Sequence, residues 1–85
     1  MSDNFYRALE ERFRASREEI LARLEVYRPF LSALRQVNPR PKAFDIGCGR
    51  GEWLQLLTEE GLDARGVDLD DSMLAACHER GLQAQ

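Results

Sequence analysis

The residues best suited to chemistry in this sequence form one short run, Phe44-Asp45-Ile46-Gly47-Cys48-Gly49-Arg50-Gly51, followed at a distance by Asp68. The run lies where a strand hands over to a helix. Gly47 permits a sharp turn off the strand, Gly49 lets the backbone approach a ligand with no Cβ in the way, and Gly51 lets the helix begin close to the sheet. Backbone N–H groups at the start of such a helix lack helical partners and favour a carboxylate or phosphate. Asp68 stands at the end of the next strand, 21 residues after Gly47. An acidic side chain there can accept hydrogen bonds from both hydroxyls of a ribose. Together these groups describe a pocket for an adenosine-bearing cofactor.

Spacing narrows the choice of cofactor. Nicotinamide and flavin sites favour G-x-G-x-x-G, whose third glycine would fall at position 52, but that position is Glu52. The pattern is G-x-G-x-G, and it is preceded by Asp45. A carboxylate there suits a cationic amine and is a liability beside a pyrophosphate. An amino-acid-bearing cofactor is therefore favoured over a dinucleotide.

The elements that must hold these residues can be read from periodicity. Lys42 to Ile46 carries Phe44 and Ile46 on one face and stops at a glycine, as a short strand does. Glu52 to Glu60, with Trp53, Leu54, Leu56 and Leu57, reads as a helix ended by Gly61. Residues 63 to 69 read as a second strand, Asp70 or Asp71 caps a helix running through Arg80, and the last four residues open a third strand. Upstream, apolar residues at 5, 9 and 13 and again at 20, 24, 27, 31 and 34 keep helical spacing, interrupted at Ser16 and Arg17. This predicts one helix over about Asn4 to Ala15 and another from Arg17, with Ser16 and Glu19 as a capping box. Pro29 requires a kink or restart, and Asn38 to Pro41 closes the helical region. The organisation expected is a helical segment over 1–41 and the first half of a cofactor-binding α/β domain over 42–85.

Composition limits the remaining possibilities. With 85 residues, 12 basic against 15 acidic side chains and 44% apolar residues, the chain has the profile of an ordinary globular protein with room for one domain at most. A net charge of −3 supplies no electrostatic reason to bind nucleic acid or an anionic membrane. The longest apolar run, Met73 to Cys77, is far short of a membrane span, and the start MSDNFYR has no signal-peptide core, so a cytoplasmic setting is expected. Cys48 and Cys77 are read as reduced thiols, with no metal site. His78 is read as a surface helix residue and Arg50 as solvent-facing.

The run AFDIGCGRGEWLQLL resembles motif I of class I S-adenosylmethionine-dependent methyltransferases, and GVDLD resembles their post-I acidic motif. The resemblance covers residues 42–85 and implies the N-terminal part of a Rossmann-like fold, three-layered, with a mostly parallel sheet. It implies S-adenosyl-L-methionine as cofactor. Gly47, Cys48, Gly49 and Gly51 would form the loop that holds the methionyl part, with Asp45 near its amine. Asp68 would bind the ribose hydroxyls and Leu69 would pack on adenine. The longer run from RLEVYRPFLSALRQ through ARGVDLDDSMLAACHERGL further resembles a bacterial subgroup found with O-antigen and polysaccharide glycosyltransferases. That likeness implies a saccharide or saccharide-phosphate acceptor, a helical lid, and an arginine about two dozen residues before the first motif glycine. Arg23 matches that arginine; Tyr6 and Arg14 are vaguer candidates for the same lid.

Plainer readings stand beside these. Arg23 equally suits a surface ion pair with Glu19, one helical turn earlier. Asp68 can serve as a simple turn cap. The glycine loop also fits half of an NAD-dependent dehydrogenase, which the spacing and Asp45 disfavour, or a vestige within a non-catalytic interaction module.

The implied sheet order sets strand 1 between strands 2 and 4. A chain holding strands 1 to 3 alone leaves strand 1 as an uncovered apolar edge, which invites association. The 85-residue chain is therefore expected to bind cofactor weakly and to self-associate. Sedimentation velocity with calorimetry checks this: a clean monomer of micromolar cofactor affinity runs against it.

Overall fold

The structure, a computed structural model, describes residues 15–85. Helix α1 spans Arg17–Leu24, a 3-10 turn covers Glu25–Tyr27, and α2 spans Arg28–Val37. Strand β1 (Lys42–Ile46), α3 (Glu52–Glu59), β2 (Asp63–Val67) and α4 (Asp71–Glu79) follow. The first predicted helix and the lid candidates Tyr6 and Arg14 lie outside the described residues.

Local signals account for the boundaries. Ser16 caps α1, its hydroxyl accepting from the Glu19 N–H at 3.2 Å. The restart demanded by Pro29 takes the form of the 3-10 turn, after which Pro29 sits in the first turn of α2, where its missing N–H costs nothing. Asp70 caps α4 by accepting from the Ser72 N–H at 2.8 Å. The helices α3 and α4 each run into a left-handed glycine, Gly61 and Gly81.

β1 and β2 pair in parallel, Lys42 opposite Asp63 through Ile46 opposite Val67. Residues 83–85 extend the sheet on the far side of β2. Gly66 donates to the Gln83 carbonyl and accepts from the Gln85 N–H, and Asp68 donates to the Gln85 carbonyl. The opening of a third strand is thus present, and β2 lies in the middle.

One face of the sheet is packed and the other is open. Ala43 and Ala64 face a core of Leu31, Cys48, Leu54, Leu56, Leu57, Leu62, Cys77 and Leu82. Leu54, Leu56 and Cys77 are wholly removed from water, and each such leucine stabilises the fold by about 1.5–3 kcal/mol. On the opposite face Phe44 and Ile46 are 66% and 83% exposed. Among the described residues, then, helices cover a single face, as befits the N-terminal part of a three-layered fold. None of the described helices is long and apolar enough to cross a membrane.

Two glycines permit the close approaches. A Cβ on Gly66 would stand 2.8 Å from both Cβ and Sγ of Cys48, so the middle strand and the loop touch only because Gly66 has no side chain. Gly51 has φ +84°, and a Cβ there would meet Leu82 Cδ1 at 2.7 Å and Cys77 Sγ at 2.9 Å. The close neighbours of Gly51 are thus Cys77 of α4 and Leu82, three residues beyond its end, whereas the sequence suggested the sheet. Gly81 has a similar φ, +72°, but open space around it.

These two positions separate backbone strain from crowding. Gly81→Ala should lower stability by about 1–2 kcal/mol, the cost of a left-handed alanine. Gly51→Ala should cost roughly 1–3 kcal/mol more because core atoms must also move. Urea unfolding of the two variants measures the difference, and equal midpoints would show that the core yields freely.

Candidate cofactor site

The glycine loop is built by its own amides. The Gly47 and Cys48 N–H groups both donate to the Val67 carbonyl, at 2.8 and 3.0 Å, and the Gly51 N–H donates to the Cys48 carbonyl at 3.0 Å. The Gly49 N–H donates to Asp68 Oδ2 at 2.9 Å. This corrects the expectation that the loop presents free donors to an anion. The first three amides instead bind the loop onto the end of β2 and the residue after it, and the Gly51 amide closes a turn within the loop.

Asp68 is fixed in the same way. Its Oδ1 accepts from the Asp70 N–H at 2.9 Å while Oδ2 holds Gly49. A carboxylate oxygen has two acceptor directions, so each keeps one for a hydroxyl donor. Asp68 borders an open groove of about 670 Å³ lined by Ile46, Gly47, Val67, Leu69 and Gln85. The groove lies at the carboxyl ends of parallel strands, where α/β sheets bind ligands. Leu69 is fully exposed beside it. A Cβ on Gly47 would meet nothing within 4 Å, so the backbone itself forms that part of the wall.

Asp45, on the packed face of β1 with Ala43, lies near enough to Asp68 to feel its charge but does not line the groove. Partial burial, and then the negative charge of Asp68, hold its carboxyl above the usual aspartate range. A cation placed here would relieve both effects. Two acids close together beside a loop whose amides are already engaged favour a positively charged ligand group over an anionic one.

Cys48 enters the site through its backbone alone. Its side chain turns into the core against Gly66, and burial, followed by the adjacent Cys77, pushes its thiol up to about 12. Cys77 donates from Sγ to the Gly49 carbonyl at 3.2 Å. Both thiols stay protonated at neutral pH, which suits packing and opposes nucleophilic chemistry.

The arginine picture differs from the sequence reading. Arg23 is 72% exposed and lies 3.9 Å from Glu19, the ion pair weighed against its lid role. The arginine of α1 that reaches the loop is Arg17, which donates from Nη1 to the Arg50 carbonyl at 3.1 Å and from Nη2 to Gln55 Oε1. Arg50, expected in solvent, is half-buried. Arg17 was missed because its only local signal was its place after the Ser16 cap. Gly66 was missed although a glycine inside a five-residue strand is itself a sign of close backbone approach. Trp53 packs beside the core and meets the Tyr27 ring edge-on, with centroids 5.5 Å apart.

Asp45 yields a pH prediction. Its folded pKa is raised above the unfolded value, so its contribution to stability is greatest when protonated and is lost as pH rises through the folded value. Asp45→Asn should therefore raise the melting temperature at pH 7, with the gain fading as pH falls through the aspartate range. A gain independent of pH would show that charge is not its origin.

The geometry can now be set beside known proteins. A family model described as "Methionine biosynthesis protein MetW" matches residues 28–85. The ubiquinone biosynthesis O-methyltransferase of Methylococcus capsulatus is 42% identical over 45 residues, 48% of this chain and 19% of that protein. Among solved structures, a SAM-dependent methyltransferase from Archaeoglobus fulgidus superposes with TM-score 0.73 at 40% identity, over 95% of this chain and 34% of the other. The plantazolicin methyltransferase BpumL, solved in complex with SAH, superposes with TM-score 0.69 at 22% identity, over 99% of this chain and 34% of the other, a likeness of fold. The chain thus spans about a third of those structures and about a fifth of the curated relative. Its fold is the N-terminal part of the Rossmann-like methyltransferase architecture, and the chain belongs to the MetW family.

Proposed function

We propose that this chain carries part of the cofactor site of an S-adenosylmethionine-dependent methyltransferase. The observation that carries the reading is the convergence of the Gly47 backbone, the Asp68 carboxylate and the exposed Leu69 on one groove at the strand ends. The likeness to the Archaeoglobus methyltransferase supports it. Asp68, preset by Gly49 and Asp70, would accept from the ribose hydroxyls. Leu69 would offer its apolar surface to adenine, and the turn from Gly47 to Gly51 would run beneath the methionyl chain. Asp45 would stand near the amine, consistent with its suppressed ionisation in the free chain. Of the described residues, 15–41 would contribute to a helical lid and 42–85 would form the cofactor-binding half.

When bound, S-adenosylmethionine supplies a methyl group on a positively charged sulfur, so the protein is left to orient and to shape the local field. The described residues suit that task. The loop is held rigid by β2, and such positioning of reactants is worth about 7–11 kcal/mol where alignment is complete. An oxygen acceptor is favoured by the O-methyltransferase relative, and a saccharide hydroxyl or phosphate, implied by the resemblance of residues 23–82, falls within that class. No described residue is assigned as a base.

Calorimetric titration of the chain with S-adenosylhomocysteine and, separately, NAD tests the cofactor reading. Binding of S-adenosylhomocysteine in preference to NAD is expected, with Asp68→Ala weakening it by roughly tenfold or more, the scale of one hydrogen bond to a charged group. Preference for NAD would restore the dehydrogenase alternative.

A further inference from the structure

Helix α1 is only eight residues long and has no fully buried side chain. A helix that short does not persist in water by itself, so its place in the fold depends on what ties it down. It packs against α3, with Ile20, Leu21 and Leu24 half-buried and Leu24 against the core. At its first residue it also makes a polar tie, and that tie goes to the glycine loop.

The Arg17 side chain is 14% exposed. Its Nη1 donates to the Arg50 carbonyl at 3.1 Å, its Nη2 donates to Gln55 Oε1, and Nη1 lies 3.9 Å from Oε2 of Glu52, whose side chain is 4% exposed. Glu52 opens α3 directly after Gly51. A carboxylate so deeply buried is destabilising unless a cation is supplied, and Arg17 supplies one from the other side of the loop. The planar guanidinium reaches the Arg50 and Gln55 acceptors together, which a lysine ammonium cannot do with the same fixed fork.

The loop is therefore held from two directions. From within, Asp68 takes the Gly49 N–H and Cys77 donates to the Gly49 carbonyl. From outside, Arg17 takes the next carbonyl along the chain, that of Arg50. We propose that Arg17 is a positioning residue that locks the glycine loop to helix α1, so that docking of α1 and binding of cofactor at the loop stabilise one another. The ligand half of this statement rests on the cofactor reading above; the mechanical half stands on the contacts alone. Reciprocity follows from linkage: what α1 does for the ligand, the ligand does for α1.

NMR-detected hydrogen exchange and calorimetry with S-adenosylhomocysteine, applied to the full chain, test it with the variants Arg17→Met and Arg17→Lys. In the unsubstituted chain the ligand should slow exchange across residues 17–24. Arg17→Met should speed exchange at Cys48, Gly49 and Gly51, although those amides donate elsewhere, and weaken binding by roughly tenfold. Arg17→Lys keeps a charge beside Glu52 but loses the fork, so its melting temperature should recover while affinity stays low. Affinity and loop exchange in Arg17→Met equal to those of the unsubstituted chain overturn the proposal, as does full recovery of affinity with lysine. If the unsubstituted chain binds no S-adenosylhomocysteine, the cofactor reading falls and loop exchange in Arg17→Met decides the mechanical claim: faster supports it, unchanged overturns it. Should Arg17→Met fail to fold, Gln55→Ala removes one arm of the fork, and the same shifts in smaller measure are expected, their absence counting against the proposal.

Discussion

The structure depends on a small set of hydrogen bonds that seat the glycine loop on the end of the middle strand. Two consecutive amides, Gly47 and Cys48, share the Val67 carbonyl, and the next amide, Gly49, is taken by the Asp68 carboxylate. Backbone donors taken from water must find partners, and here the partners are the last residue of β2 and the one after it. The rest follows geometrically. The loop curls over the strand end, the Cys48 side chain is forced downward into the core, and Gly66 must lack a Cβ to receive it. The charge-assisted bond from Gly49 also aims Asp68 toward the groove.

That arrangement places acids together without neutralising them all in one way. Asp68 is satisfied by two amides, Glu52 is faced by Arg17, and Asp45 has neither and retains its proton more readily. A site with one insufficiently compensated carboxyl and preset acceptors suits a ligand bearing positive charge and hydroxyl donors. The same reasoning separates this loop from phosphate-binding glycine loops, where amides are left pointing at the ligand.

The helical segment is attached at two points of different kind. Arg28, at the start of α2, bonds Glu25, Glu59 and Glu60 and so joins that helix to the end of α3. Arg17, at the start of α1, joins the beginning of α3 and the loop. The first tie is partly exposed, and solvent weakens pairs of that kind; the second is largely shielded. Apolar contact is thin at both helices, with Leu31 the one fully buried residue of α2 and Phe30 and Val37 largely exposed. Phe44 and Ile46 add exposed apolar surface on the open face of the sheet.

Local chemistry was enough to read the order of elements, the Ser16 cap, a cap at Asp70 or Asp71 and the restart near Pro29, because each depends on residues within one helical turn or one strand of each other; the parallel pairing of the first strands was implied by the family resemblance. Periodicity likewise marked Leu54, Leu56 and Leu57 as core. What the sequence could not specify were contacts between residues distant along the chain. Whether the loop amides are free or engaged depends on where the Val67 carbonyl lies, and whether Arg17 or Arg23 meets the loop depends on the angle at which α1 packs on α3. A glycine motif announces that the backbone will come close to something; only the tertiary structure decided that its nearest partners are β2, α4 and a guanidinium from α1, since those distances are set by packing and not by spacing along the chain.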